Sequence, residues 1–449
     1  ADMDLRAADD SESRFSAYVE GLVRVIGHAD RAGPLRDYCV GLMMPCERKS
    51  VEPMAAVTAP GRTAAQHQSL LHFVGNAAWS DEKVLAKVHE MVLPAIERHG
   101  PVEAWIIDDT GFPKKGGHSV GVARQYCGAL GKIANCQVAV TAALWTGTRA
   151  WLLGALLYLP QSWSEDAHRR AATRIPSTVA FQEKWRQALT LIRRARAAGL
   201  HLTAVVADAE FGDITAFRRR LHQWRLPYAL GVSRQLTVFR DTPAVHIPPS
   251  SRTGRPRSQL VLVHDTRPIT VRAVALALPA RAWRRVTWRN GTNRPWAARF
   301  AAVRVTPANE WRNRRLAPEV WLLCEQDLGL TPRIKYFFVH LPATASLKQL
   351  VRLAHQRWAI EQQYQELKTE LGLDHFEGRS YPGWHRHVVL TAVAYAFLQR
   401  ERIRPDADPA LTLPAVRAIV TETFTALLFA QKPSYLKRIQ ELQNIQLRI

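Results

Sequence analysis

The chain has 449 residues, 47 % of them hydrophobic, so it is too long for one compact core and too apolar for a disordered chain. Sixty-one Lys and Arg against 39 Asp and Glu leave a net charge of +22, which calls for a polyanionic partner, nucleic acid or an anionic membrane surface. The longest apolar runs, residues 150–159 and 388–398, are too short to span a bilayer. No secretion leader is recognisable. Five cysteines, an odd number without paired metal-ligand spacing, read as free thiols in a reducing compartment. The expectation is a cytoplasmic, nucleic-acid-binding protein with no membrane partner.

Residues 1–100 read as helical, with apolar residues at helical spacing over 13–26, 64–74 and 80–92, and Ser80 placed to cap the last of these. Short helices between tight turns fit a helix-turn-helix-like DNA-binding module and equally a small bundle. From residue 101 the texture changes to α/β: strands are expected over 104–107, 137–144 and 151–158, a helix over 178–198, an apolar strand over 201–207 and a helix over 214–224 capped by Asp213. Residues 231–340 carry short β-branched segments at 260–264, 269–277, 299–305, 320–324 and 336–340, which predict a mostly β insertion. Between Arg240 and Glu319 there are 16 Arg, no Lys and 4 acids, so more than half of the net charge sits there, interleaved with Trp283, Trp288, Trp296 and Trp311. Guanidinium forks suit phosphates and indole faces suit bases; the plainer alternative is a solvated basic surface over a small Trp core. Helices are expected again over 347–371 and 384–401, with a final one beginning near Pro433. The domain boundaries that follow are 1–100, 101–230, 231–340, 341–405 and 406–449.

Three acids stand out by context. Asp109 follows an apolar strand in Asp-Asp-Thr-Gly-Phe-Pro-Lys-Lys-Gly, Asp208 ends another in Val-Val-Ala-Asp-Ala-Glu-Phe-Gly-Asp, and Glu361 lies on the long helix. Strand-end carboxylates project to one sheet edge, where a helix can add a third, and two hard divalent cations held there can grip both oxygens of a phosphodiester displacement. Each acid alone is more often a cap or turn former. At about 100° per residue, Arg357, Tyr364 and Lys368 share the stripe of Glu361 while Glu366 and Glu370 point away. An exposed i,i+4 ion pair would look the same.

These residues bring the chain to a family. It resembles bacterial insertion-sequence transposases of the DDE type, in the insertion-sequence-four-like group. Their mark near the catalytic Glu is Tyr-x2-Arg-x3-Glu-x6-Lys, matched here by Arg357, Glu361 and Lys368, with Ala354 where the Tyr belongs. The family's first Asp directly precedes a Thr, which selects Asp109 over Asp108; its second ends a strand before a small-residue turn, which selects Asp208. The resemblance extends through Gln125-Tyr126-Cys127-Gly128, the segment from Gly372 to Glu377 and the segment from Gly383 to His387, and covers most of residues 60–400. It implies an RNase H-like mixed sheet with flanking helices, interrupted by the β insertion, and a helical N-terminal domain. It also implies two Mg²⁺ (Mn²⁺ substituting) on Asp109, Asp208 and Glu361, cutting of element ends and attack of the freed 3′-hydroxyl on target DNA.

Arg357 and Lys368 would then hold phosphates, with Lys114 and Lys115 as further contacts. An aromatic of the insertion would stack on a flipped base: Tyr336 falls near the expected place, and Trp288 or Trp296 could serve instead. A homodimer on double-stranded terminal repeats is implied too. His118, His375 and His385 lack metal-ligand spacing and are expected in structural or DNA-contact roles. The rivals are a domesticated DNA-binding regulator without cleavage and a junction-resolving nuclease of the same fold.

Overall fold

Helices come first in the computed structural model, which describes residues 2–250, 257–263, 266–290, 295–408 and 410–431 together with Ser434 and Lys437. They are α1 (Asp2–Ile26), α2 (Ala32–Met43), α3 (Val51–Thr58), α4 (Thr63–Gly75) and α5 (Asp81–His99). Ser80 caps α5 by accepting from the Lys83 N–H, with Asp81 and Glu82 in the first turn, where the helix dipole favours them.

The sheet begins with β1 (Ala104–Pro113), β2 (Ala123–Cys127), β3 (Lys132–Trp145) and β4 (Ala150–Leu157). Short α6 (Gln161–Ser164) and α7 (Ala167–Ala172) lead to α8 (Lys184–Ala197), β5 (Val205–Ala207), α9 (Ala209–Gly212), α10 (Thr215–Gln223) and β6 (Tyr228–Val232). β1 is antiparallel to β3 along its whole length and β3 to β4, whereas β5 runs parallel to β1 and β6 parallel to β5. The order β4-β3-β1-β5-β6 is the expected RNase H-like mixed sheet, with β2 pairing the outer end of β3 as a hairpin.

The insertion adds β7 (Thr237–Phe239), β8 (Val245–His246), β9 (Val261–Leu262), β10 (Ile269–Thr270), α11 (Val271–Leu276), β11 (Arg284–Asn290), β12 (Pro295–Pro307), β13 (Val320–Gln326) and β14 (Ile334–His340). Apart from the β8–β9 pair, these strands extend the same sheet: β14 is antiparallel to β6, and β13 and β12 follow in order. The strand expected over 269–277 is therefore only two residues long. Thr270 accepts from the Ala273 N–H and caps a helix, because Val271, Val274 and Ala275 bury at helical spacing.

The chain closes with α12 (Leu347–Ala354), a 3₁₀ turn at His355–Arg357, α13 (Trp358–Gln365), a wide π turn at Glu366–Glu370, α14 (Tyr381–Arg402) and α15 (Leu413–Gln431). The single helix expected over 347–371 is thus interrupted. The tightened turn lies where Arg352 and Gln356 both donate to Glu103, at the foot of β1. α14 is buried on every side, and the N-terminal helices close round it instead of standing apart. Tyr18 donates to the Val393 carbonyl, Arg14 pairs with Glu401, and Phe15 packs between Phe397 and Phe424. No described helix is long and apolar enough to cross a membrane. The helix expected near Pro433 lies outside the described residues.

Candidate active site

Alternation along β1 decides which face each acid serves. Ile106 packs with Ala359 and Ile360 of α13, while Trp105 and Ile107 turn into the main core on the other side. Two residues on, Asp108 follows Ile106 and Asp109 follows Ile107. Thr141, opposite Asp108 on β3, shares a hydrogen bond with the Tyr364 hydroxyl of α13, which fixes Asp108 on the α13 side. Arg357 Nη1 donates to Asp108 Oδ2 at 3.0 Å and its Nη2 to Glu361 Oε1 at 3.1 Å. On the neighbouring strand Val206 pairs with Ile106, and Asp208, two residues later, caps α9 by accepting from the Glu210 N–H at 3.0 Å. Arg357 thus bridges Asp108 and Glu361, and Asp208 lies near enough to act on its charge.

The charges respond accordingly. Burial pushes the Asp108 carboxyl up to about 7; Arg357 pulls against that, and Asp208 and Asp109 add to it. Asp208 is raised by burial first and by Asp109, with Arg357 opposing. Burial works against the Arg357 cation, but Asp108, Asp208 and Glu361 outweigh it and raise its pKa.

Asp109 faces the other way. Lys184, at the start of α8, reaches Asp109 Oδ2 at 2.5 Å and Glu210 Oε1 at 2.7 Å. Burial disfavours this ammonium, yet Asp109 and then Glu210 raise its pKa overall. The choice of Asp109 made from the adjacent Thr therefore selects the residue on the face away from α13. Asp109 still lies near enough to Asp208 to add to the rise that burial causes in its pKa, and Asp108, Lys184, Glu210 and Tyr364 are neighbours to which the sequence alone assigned no role. The parity of Ile106 against Ile107 was a usable signal for Asp108 once α13 was known to cover Ile106; nothing local marks Lys184, 75 residues from its partner.

Several expected DNA contacts are engaged within the protein. Lys368 donates to the Gly111 carbonyl at 2.9 Å and lies over the Phe112 ring, and Lys114 donates to the Phe376 carbonyl at 2.7 Å. Burial lowers the pKa of both, so they act as struts between β1 and the segment before α14. Tyr336 is only 6 % exposed and offers no ring face to a base. Trp288 stacks on His355 with centroids 4.0 Å apart and meets the Phe300 edge, so its face is already covered. Trp296, 57 % exposed, remains free to stack, and Lys115 is exposed. His375 accepts from the Lys49 N–H and His385 meets the Tyr381 carbonyl, both structural, while His118 is exposed. All five thiols are free, four of them buried.

Carboxylate oxygens are the donors a hard divalent cation takes, so the residue types fit one. Among the described residues, however, no three His, Cys, Asp or Glu side chains stand together as a ligand set. Arg357 and Lys184 hold the relevant oxygens, and loading an ion requires these to turn away from their ion pairs.

Two comparisons bear on this arrangement. The family described as DDE superfamily endonuclease matches residues 21–295, which include both strand-borne acids and stop short of Glu361. A protein of Microchaete diplosiphon named as a probable transposase for insertion sequence element IS701 is 29 % identical over 175 residues. That stretch is 39 % of this chain and 41 % of the relative, so the similarity spans less than half of either.

Proposed function

The chain belongs to the DDE superfamily of endonucleases, and on that premise we propose that it is the transposase of an insertion sequence, cutting DNA at the element's ends and joining the 3′-hydroxyls to a target. The observation that supports this most is Arg357, bound at once to Asp108 on one strand and to Glu361 on the helix, with Asp208 also raising its pKa against the effect of burial. Acids are not needed there for binding a polyanion, which they would repel. A pair of Mg²⁺ ions held by Asp208, Glu361 and one of the Asp108–Asp109 pair would supply the activated water and stabilise the attacking and leaving oxygens. Asp108 suits the first position by its face, and Asp109 by its neighbouring Thr. Arg357 orients Asp108 and Glu361 toward each other, and Lys368, in the π turn that follows α13, ties that end of the helix to β1 through the Gly111 carbonyl. Exposed Arg residues of the insertion and Trp296 would bind the duplex, and two protomers are needed to hold two ends.

The test is cleavage and strand transfer on element-end duplex with Mg²⁺ or Mn²⁺, comparing wild type with D108N, D109N and E361Q. Loss of both reactions in E361Q and in one of the Asn variants, with duplex binding kept, is the expected result. Binding without cutting in the wild type would make the protein a regulator, and cutting without joined products a plain nuclease.

A further inference from the structure

The hairpin formed by β2 and β3 carries an apolar surface that the site above does not use. Tyr126 and Ile133 are direct cross-strand partners and therefore share a face, yet they are 60 % and 61 % exposed. Leu130, in the 3₁₀ turn between the strands, is 46 % exposed, and Gly131 closes that turn at φ 62°, where only glycine sits without strain. A paired aromatic and β-branched residue is ordinarily how a hairpin covers its face; here the pair is bare, and contiguous exposed apolar surface marks a contact.

The surroundings say what kind. Arg124 lies two residues from Tyr126 on the same strand face, Lys132 and Lys115 flank the hairpin, and all three are exposed with no ion pair among the described residues. No Asp or Glu occurs between Asp109 and Glu165. A second copy of this chain would set the same cations against each other, whereas a polyanion would neutralise them. The strand also sets the reach. Ile133 is eight residues along β3 from Thr141, the residue opposite Asp108, so the bare pair stands about 27 Å from the acids. At about 3.4 Å per base pair that is about eight base pairs along a duplex, too far to touch a reacting nucleotide.

We propose that the β2–β3 hairpin is a DNA-docking wedge, in which Tyr126 and Ile133 pack against bases or sugars of the duplex about eight base pairs from the cleavage point, while Arg124 and Lys132 hold the adjacent phosphates. This rests on the DNA-processing reading above and adds a contact outside its acid centre. Stacking and apolar packing are insensitive to salt, whereas each Arg or Lys on a phosphate adds about 0.9 to the slope of log affinity against log salt.

Those two dependences separate the roles. Binding of the full chain to a labelled duplex of about 30 base pairs, ample for the reach above, is followed by fluorescence anisotropy across a salt series. Y126A combined with I133A is expected to weaken binding at least tenfold with an unchanged slope, and Y126F, which keeps the ring, to bind as the wild type does. R124Q combined with K132Q is expected to lower the slope by about two. All the substituted side chains are exposed, and circular dichroism checks that the fold is kept. Wild-type affinity in the Y126A–I133A protein overturns the wedge and leaves the nuclease reading intact. Loss of self-association in that protein by light scattering, with DNA affinity per protomer kept, overturns it in favour of a second copy. A wild type that binds no duplex at any salt overturns both.

Discussion

Arg357 donates to Asp108 from one nitrogen and to Glu361 from another, and Asp108 is buried where water cannot replace that partner. Breaking a buried ion pair from one side leaves an uncompensated charge, which costs more than the pair itself contributes. At about pH 8.5, above the raised Asp108 pKa, R357M is therefore expected to be clearly less stable than the wild type in a denaturant titration, and less so at about pH 6, where Asp108 can take up a proton and stand neutral. D108N combined with R357M should regain most of that, since an amide needs no counter-ion. The Glu361 side of the bridge is largely solvated, and E361Q alone should change stability by less than about 1 kcal/mol. If the double variant is no more stable than R357M, the guanidinium matters through its packing against α13 and not through the Asp108 charge.

At the scale of elements, the second acid depends on a close approach of backbone to backbone. Asp208 caps α9, and α9 lies directly on β6: a Cβ added at Gly212 would stand 1.8 Å from the Gly231 carbonyl oxygen. Neither backbone can yield without moving the helix that Asp208 begins or the strand that continues the sheet. G212A is expected to cost about 3 kcal/mol or more by thermal unfolding and to abolish cleavage. G231A, whose Cβ would meet the Ala209 nitrogen at 3.0 Å, should cost less. The sequence made the strands on either side of this contact legible, because β1, β3 and β5 are apolar runs ended by acids or turns. It also showed that Arg357, Glu361 and Lys368 share a stripe, and Arg357 and Glu361 do meet. It did not show where Lys368 ends, since a lysine that reaches a strand carbonyl reads the same as one that reaches a phosphate. The face of Asp108 against Asp109 was hidden for a similar reason: both flanking residues, Ile106 and Ile107, are apolar, so the strand shows no alternation and only the position of α13 separates the two sides. Trp288 was offered to a base because it lies within the Arg run, and Tyr336 because the resemblance put a stacking aromatic near it; in the fold both rings pack inward, while the long Arg side chains carry their charge out.

Across the whole molecule, α14 packs against α2, α4, α5, α15 and β4, and a buried histidine on it gives that packing a dependence on pH. His387 lies fully buried on α14, with Nε2 against the Gly372 carbonyl and Nδ1 against the Tyr38 hydroxyl of α2. A carbonyl can only accept, so Nε2 carries the proton and Nδ1 accepts from Tyr38. This neutral form ties the N-terminal helices to the segment that follows the Glu361 helix. Burial lowers the pKa of His387 to about 4, and the Gly372 carbonyl only partly opposes that. A folded pKa below the unfolded value means that the unfolded chain binds the proton more readily, so the stabilisation is complete above about pH 6.5 and is lost progressively as pH falls toward 4. The full span corresponds to about 3 kcal/mol from this residue. His222, between Tyr228 of β6 and His340 of β14, is also lowered to about 4 by burial first and His340 second, and acts in the same direction. Asp108, whose pKa is raised to about 7, acts in the opposite direction over the same range, so the His387 contribution is read as a difference: in chemical denaturation between about pH 7 and 4.5 the wild type should lose stability relative to H387Q, which cannot take up that proton. The variant will be less stable than wild type at pH 7, because its amide cannot reproduce both hydrogen bonds, and the two curves should converge toward pH 4.5. Parallel curves would mean that His387 titrates alike in the folded and unfolded chain, and that the tie through α14 to α2 is open to water.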